Sequence, residues 1–302
     1  MYGVREHQIF QQPLKVNLGK TIHKAVPEGW QGYIKETKVE VVPLVNNTSK
    51  DYPTGWITYS DDFIECPDVE MFAGGYNVKH PKAAAWWRQG NLLHFGFEQS
   101  PAELNETGQA MLLNSIAYIV QFTEDIPIAN TPSVFTGPYP RSRASVSNVI
   151  HNASRKLDDL DYYAAPSVMT ALKGKDRPAC KAWFAENGRF LHPGVEGKLA
   201  VDEEVKAFGV PCDTAAFFDK AIAALGESGE TRARARRLLV RYVPDGPSGG
   251  VAKAWEAWWR ENRSYVFFSQ AGEYRWYLDA LAKKRGVPTA ELTGPKRADR
   301  KN

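Results

Sequence analysis

GNLLHFGFEQSPAELNETGQAMLLNSIAYI, residues 90–119, decides how this chain is read, because an apolar run, a polar turn and a helix start signal follow one another without a break. Leu92, Leu93, Phe95 and Phe97 form a short aromatic-rich run, interrupted by His94 and Gly96, that reads as a strand covered on both faces. Ser100, Pro101, Ala102 and Glu103 then spell a capping box, in which the serine hydroxyl accepts from first-turn amides and Glu103 reaches back. The spacing predicts a helix over 101–122. Leu104, Met111, Leu112, Ile116, Ile119 and Val120 recur every three or four residues, so they are expected to lie on a sheet face.

Upstream the pattern is β-rich. Residues 14–18 and 38–42 alternate apolar with polar side chains, as half-buried strands do, and 56–59 and 69–72 resume strand character. The paired Gly74 and Gly75 predict a tight turn or a close backbone approach. Residues 123–143 hold four prolines with little periodicity, which places a linker there. The expected division is a β-rich unit over 1–125, a Pro-rich linker over 126–143, a mainly helical domain over 144–295 and a basic tail over 296–302.

Within the helical domain, helices are expected at 144–158, 167–173, 177–186 and 202–208, the last starting from Asp202 and stopping at Gly209. Asp213 is a candidate cap for a helix running to Leu225. The Arg232, Arg234, Arg236 and Arg237 cluster marks the wet face of a further helix, and 252–262 and 274–285 read as the last two. Tyr265, Val266, Phe267 and Phe268, between those two, read as extended.

The 302 residues, 43% of them hydrophobic, suffice for a substantial core in two domains. No apolar run approaches the roughly 20 residues that span a bilayer, and residues 1–10 lack the apolar segment of a signal peptide, so the chain as written reads as soluble and by default cytoplasmic. Cys66, Cys180 and Cys212 are widely spaced with no CxxC pair, which fits reduced structural thiols and neither a disulfide framework nor a cysteine-rich zinc site. The net charge of +3 divides unevenly. Residues 1–140 carry 10 Lys and Arg against 15 Asp and Glu, and residues 141–302 carry 28 against 20. That excess is too dilute for a nucleic-acid footprint and reads as solvated surface.

With these residues in place, the chain resembles the ThuA-like branch of the class I glutamine amidotransferase-like superfamily over about residues 6–128. Glu6, His7, Gln8, Ile9 and Phe10 with Pro13 and Leu14 look like its HPI-type segment; residues 90–96 look like its late strand, and 101–119 like its terminal helix. Residues 177–295, with Ala257, Trp258, Trp259 and Arg260 and with Tyr274, Arg275, Trp276 and Tyr277, resemble the helical extension of uncharacterised planctomycete-type bacterial proteins. The resemblance implies an incomplete amidotransferase-like α/β (or α+β) sheet with one long terminal helix, followed by a mainly α-helical domain. It also implies that the chain is a fragment of a longer protein or a shortened module.

Class I amidotransferases need a cysteine nucleophile, an imidazole base and an orienting carboxylate. Where the family places Phe-His-Pro-Glu, this chain has Phe95, Gly96, Phe97 and Glu98, and Gly96 cannot accept a proton. Cys66 stands ahead of the strand-helix unit, away from any nucleophile elbow. Glutaminase chemistry is therefore not expected. His94 and Glu98 remain as catalytic candidates. Asn77 and Lys79 are candidate ligand contacts just past the glycine pair, and Trp86 and Trp87 are candidates for stacking on a sugar. Asp61, Asp62, Glu65, Asp68 and Glu70 form an acidic run without the spacing of a calcium loop. No metal or cofactor is called for.

The sequence thus predicts a non-catalytic binding or assembly module derived from an amidotransferase-like domain. Its expected partners are a small-molecule or sugar ligand or another protein domain. The alternative is a sugar-related ThuA-like enzyme or carbohydrate-binding protein.

Overall fold

The computed structural model describes residues 1–3, 6–30, 33–46, 57–58, 66–78, 80–97, 99–129 and 141–289, in which helices are mixed with small antiparallel sheets. Two compact units divide at 127/128. Among the described residues no helix is long and apolar enough to cross a membrane.

In the first unit, β1 (Ile22–Ala25) pairs antiparallel with β2 (Lys38–Val41), and Val39 and Val41 of β2 turn inward onto Trp30. A second sheet has the order β3 (Val69–Gly74), β4 (Ala84–Gln89), β5 (Leu92–Phe95), all antiparallel, with an irregularity between Met71 and Gly74. The central strand β4 carries no alternating pattern, since Ala84, Ala85 and Trp86 are all buried. β5 lies at the sheet edge with Leu92 61% exposed, so it is not a strand covered on both faces, and Phe97 lies beyond it. Residues 14–18, expected as a strand, run as a loop pinned by Asn114, whose amide exchanges hydrogen bonds with the Leu14 N–H (3.0 Å) and the Ile9 and Leu14 carbonyls (2.7 Å each).

α1 (Glu106–Ile119) begins five residues later than the predicted helix. The glutamate half of the capping box forms, since Glu103 accepts from the Ser100 N–H at 3.0 Å, but the Glu103 N–H donates to the Ser100 carbonyl and closes an isolated turn. The helix itself is capped by Asn105, which accepts from Gly108 N–H at 2.9 Å. Gly108 is required there: a Cβ would stand 2.4 Å from the Leu44 carbonyl. The helix is also rotated relative to its predicted apolar stripe, of which Leu104, in the turn before it, and Met111 are buried but Ile116 and Val120 are not. Gly108, Met111, Asn114, Ser115 and Tyr118 are buried, while Leu113, Ile116 and Val120, just past its end, are more than half exposed. Hydrogen bonding decides this orientation, because Ser115 Oγ accepts from Trp86 Nε1 at 2.8 Å and Asn114 holds the 9–14 loop.

The second unit contains α2 (Arg143–His151), α3 (Pro166–Leu172), α4 (Arg177–Asn187), the hairpin of β6 (Leu191–Pro193) and β7 (Leu199–Val201), α5 (Glu203–Phe208), α6 (Ala215–Leu225), α7 (Gly229–Tyr242), α8 (Ala252–Asn262), the hairpin of β8 (Val266–Ser269) and β9 (Arg275–Leu278), and α9 (Ala280–Arg285). Phe217, Phe218, Leu238, Leu239, Trp255 and Trp276 form one core, and Val146, Ile150, Leu160, Leu191, Leu199 and Tyr274 another. Trp259 stacks on Phe218 with ring centres 4.0 Å apart, so the α8 tryptophans serve packing.

Three expectations are corrected here. The helix predicted over 144–158 stops at His151 and is followed by a separate 3₁₀ stretch, Leu157–Tyr162. The segment 274–285 is not one helix, since 275–278 pairs with β8 and only 280–285 is helical. Asp213 does not cap α6; it takes Arg143 and Arg189, and Thr214 stands at the cap.

Candidate functional site

Six residues in the first unit carried the sequence-based site, and of the four that are described His94 and Trp87 are brought into contact. His94 lies on β5 opposite Trp87 of β4, with ring centres 5.6 Å apart. Trp86, on the other face of β4, is fully enclosed by Phe10, Phe72 and Phe95 and cannot offer a stacking surface. Trp87 is half-buried. Asn77 is 6% exposed and closes its own turn, donating to the Gly75 and His80 carbonyls and accepting from the His80 N–H. Lys79 and Glu98 lie outside the described residues, as does the acidic stretch 61–65.

The strongest polar cluster of this unit surrounds Glu70, the last member of the acidic run. Its Oε2 accepts from Arg88 Nε at 2.7 Å and from the Tyr118 hydroxyl at 2.9 Å, and His7 Nε2 lies 3.7 Å from Oε1. Burial alone would raise this carboxyl; the bonds from His7, Arg88 and Tyr118 outweigh it and hold it at about 2. These groups satisfy one another and tie β3, β4 and α1 together.

A more promising site lies in the second unit, where a cavity of about 330 Å³ is lined by His192 and Pro193 of β6, Ala200 and Val201 of β7, Asp202, Arg241 and Tyr242 at the end of α7, and Glu273 and Arg275. Each element delivers its residue for a local reason. Asp202 is the N-cap of α5, its Oδ1 accepting from the Glu204 and Val205 N–H groups at 2.9 and 3.0 Å. Its Oδ2 accepts from Arg241 at 2.8 Å and from the Tyr242 hydroxyl at 2.6 Å. Burial opposes ionisation of Asp202, but the Tyr242 and Val205 bonds and the Arg241 charge prevail, so its carboxyl titrates below the usual range. Burial pushes the Tyr242 phenol upward.

His192 forms the floor. It is 5% exposed, and burial, reinforced by the nearby Arg143 charge, lowers its pKa to about 3. Arg143 approaches Nε2 at 3.1 Å, and since a guanidinium can only donate, Nε2 accepts and the ring proton resides on Nδ1. Cys212 Sγ lies 3.5 Å from the same Nε2. This juxtaposition of a cysteine and a histidine was not foreseen, yet burial drives the thiol up while it drives the imidazole down. The neutral pair therefore lacks the thiolate character that makes a cysteine nucleophilic.

Backbone conformation singles out the same place. Among the described residues, only Glu196, Glu273 and Tyr274 are non-glycine residues at positive φ, and they lie in the turns of the two hairpins that line the cavity. Glu273 and Tyr274, at φ 62° and 59°, are consecutive. Each such residue costs about 1–3 kcal/mol and persists where the surroundings enforce it, which is commonest at functional sites. The Tyr274 hydroxyl is fastened between the Arg141 carbonyl and the Arg143 N–H at 2.9 and 3.1 Å.

Among the described residues no group of three or more His, Cys, Asp or Glu side chains is placed to hold a metal ion. No family model, curated protein or solved structure matches the chain.

Proposed function

We propose that this chain is a non-catalytic binding module whose second unit holds a small polar ligand in the His192–Arg241–Glu273 cavity. The observation that carries this reading is the coincidence of a concave, mixed polar and apolar lining with backbone strain at Glu273, a lining residue, and at its buried neighbour Tyr274. Catalysis by the Cys212–His192 pair is disfavoured by the protonation states that burial imposes. Descent from an amidotransferase-like, ThuA-like domain remains part of the proposal. It is supported by the residue likeness and by the order of the β4–β5 hairpin and α1.

The test is a small-molecule panel including sugars, read by chemical-shift changes at Ala200 and Val201, against wild type and an Ala200→Trp variant that fills the cavity. Ligand-induced shifts lost in the variant are expected. Shifts confined to Trp87 and His94, with sugars only, would move the site to the first unit and favour the sugar-related alternative. Its motive is the half-buried Trp87 ring beside His94.

Assembly is a second reading, favoured by the exposed apolar line of Leu113, Ile116 and Val120. Ultracentrifugation of wild type and Ile116→Lys decides it: a concentration-dependent mass abolished by the substitution supports assembly, and a monomer at the highest soluble concentration removes self-assembly.

A further inference from the structure

Resting on the cavity reading above, we infer that the group bound there is an oxyanion, a carboxylate or phosphate carried by a small molecule with a short apolar body. Hydrogen-bond donors and acceptors around the cavity are unevenly committed. On the acceptor side, Asp202 already takes four hydrogen bonds, from Glu204 N–H, Val205 N–H, Arg241 and Tyr242. That fills a carboxylate's lone-pair positions. Tyr242 has committed its proton to Asp202, and His192 Nε2 has accepted from Arg143.

Donors remain in excess. Arg241 uses one nitrogen on Asp202 and one on Glu204, leaving further N–H groups of its fork. Arg275 meets Glu273 through a single nitrogen at 3.1 Å, and its side chain is 42% exposed. Among the described residues the His192 Nδ1–H has only the Cys212 sulfur, 4.0 Å away, in range. Glu273 is the one lining carboxylate with acceptor capacity left, and it is half-exposed. Two planar forks in one cavity are suited to grip an oxyanion with paired hydrogen bonds. Pro193, Ala200 and Val201 offer apolar contact to the remainder of the ligand.

A carboxylate and a phosphate present the same chemistry to these arginines, so the experiment carries both, with inorganic phosphate and succinate as anions and propylammonium and glucose as contrasts. Binding to the full chain is followed at low salt by the Ala200 and Val201 resonances. The variants are Arg275→Gln, Ala200→Trp and, as a surface-charge control, Arg263→Gln. At least one anion is expected to bind. Its affinity should fall about tenfold or more in Arg275→Gln, the size of one lost charge-assisted hydrogen bond, should vanish in Ala200→Trp and should be unchanged in Arg263→Gln. Phosphate alone or succinate alone supports the inference and identifies the source.

Propylammonium or glucose binding lost in Ala200→Trp, with no anion binding, overturns the oxyanion inference and leaves the cavity reading standing. No probe of any charge binding overturns both. Anion binding that weakens equally in Arg275→Gln and Arg263→Gln is general surface attraction and also overturns the inference.

Discussion

Replacing Glu70 by Gln tests the polar centre of the first unit with almost no change of shape. Glu70 of β3 stands directly opposite Arg88 of β4, and the substitution leaves that guanidinium, 6% exposed in its side chain, without its counter-charge. The size of the loss follows by two routes. A carboxyl held at about 2 rather than 4.5 is favoured in its ionised form by about 3 kcal/mol, at roughly 1.4 kcal/mol per tenfold. Removing one partner of a buried ion pair independently costs about 3–5 kcal/mol. Since the Glu70 side chain retains 18% exposure, solvent screening selects the lower end of that range, about 3 kcal/mol.

Native-state amide exchange at β3 and β4 measures the opening free energy of this unit without reference to the other. Because the native carboxyl titrates below its unfolded value, the stabilisation is fully present above about pH 4.5 and is lost as the pH falls through about 2. Wild type should show that decline and Glu70→Gln should not. Adding Arg88→Met to Glu70→Gln should restore much of the lost stability, since the stranded charge is removed. A loss below about 1 kcal/mol near neutral pH, where an exposed pair would fall, or equal acid sensitivity in wild type and variant, refutes the reasoning.

Three further outcomes are expected. The His192 imidazole, held at about 3 against an ordinary 6.5, should show no NMR titration between about pH 5 and 8; because the unfolded chain takes up that proton first, stability should fall from about pH 6.5 downward, by about 2 kcal/mol at pH 5. All three cysteines are buried, so a thiol reagent should find essentially none in the native protein and three after denaturation; rapid native modification of Cys212 would contradict its enclosure. Gly90→Ala should destabilise the first unit by at least about 2 kcal/mol in the same amide-exchange measurement, because Gly90 has φ +54° and a Cβ there would stand 2.2 Å from the Asp125 carbonyl oxygen.

Residue patterns reported the existence of elements better than their orientation. α5 and α8 follow their sequence limits closely, since Asp202 and the left-handed Gly209 punctuate the one and a run of strong helix formers makes the other. α1 was legible as a helix but not in its facing. Apolar periodicity alone puts Ile116 inward, whereas Asn114 and Ser115 can satisfy the Ile9, Leu14 and Trp86 polar groups only by turning inward themselves. An unsatisfied buried donor or acceptor costs about 1–3 kcal/mol, comparable with burying one aliphatic side chain, so several such groups together can set the rotation of a helix. β9 escaped recognition for a related reason. Arg275 favours helix while Trp276 and Tyr277 favour strand, so local propensity is mixed, and the pairing with 266–269 decides the matter through a turn containing two residues at positive φ.

The cavity was invisible for reasons deeper than a missed motif. Its lining is drawn from residues 192–275 and meets only when two hairpins and the ends of two helices come together. Chemistry-bearing residue types alone would have promoted Cys212 and His192 as a nucleophile pair, yet burial of a thiol and an imidazole displaces their pKa values in opposite directions and leaves both neutral. What distinguishes the place is a balance: a carboxylate whose acceptor positions are filled, two guanidiniums whose donors are not, and a backbone held in an unfavourable conformation beside them. None of these properties belongs to a residue type or a spacing. Each is a relation between groups that only folding brings together.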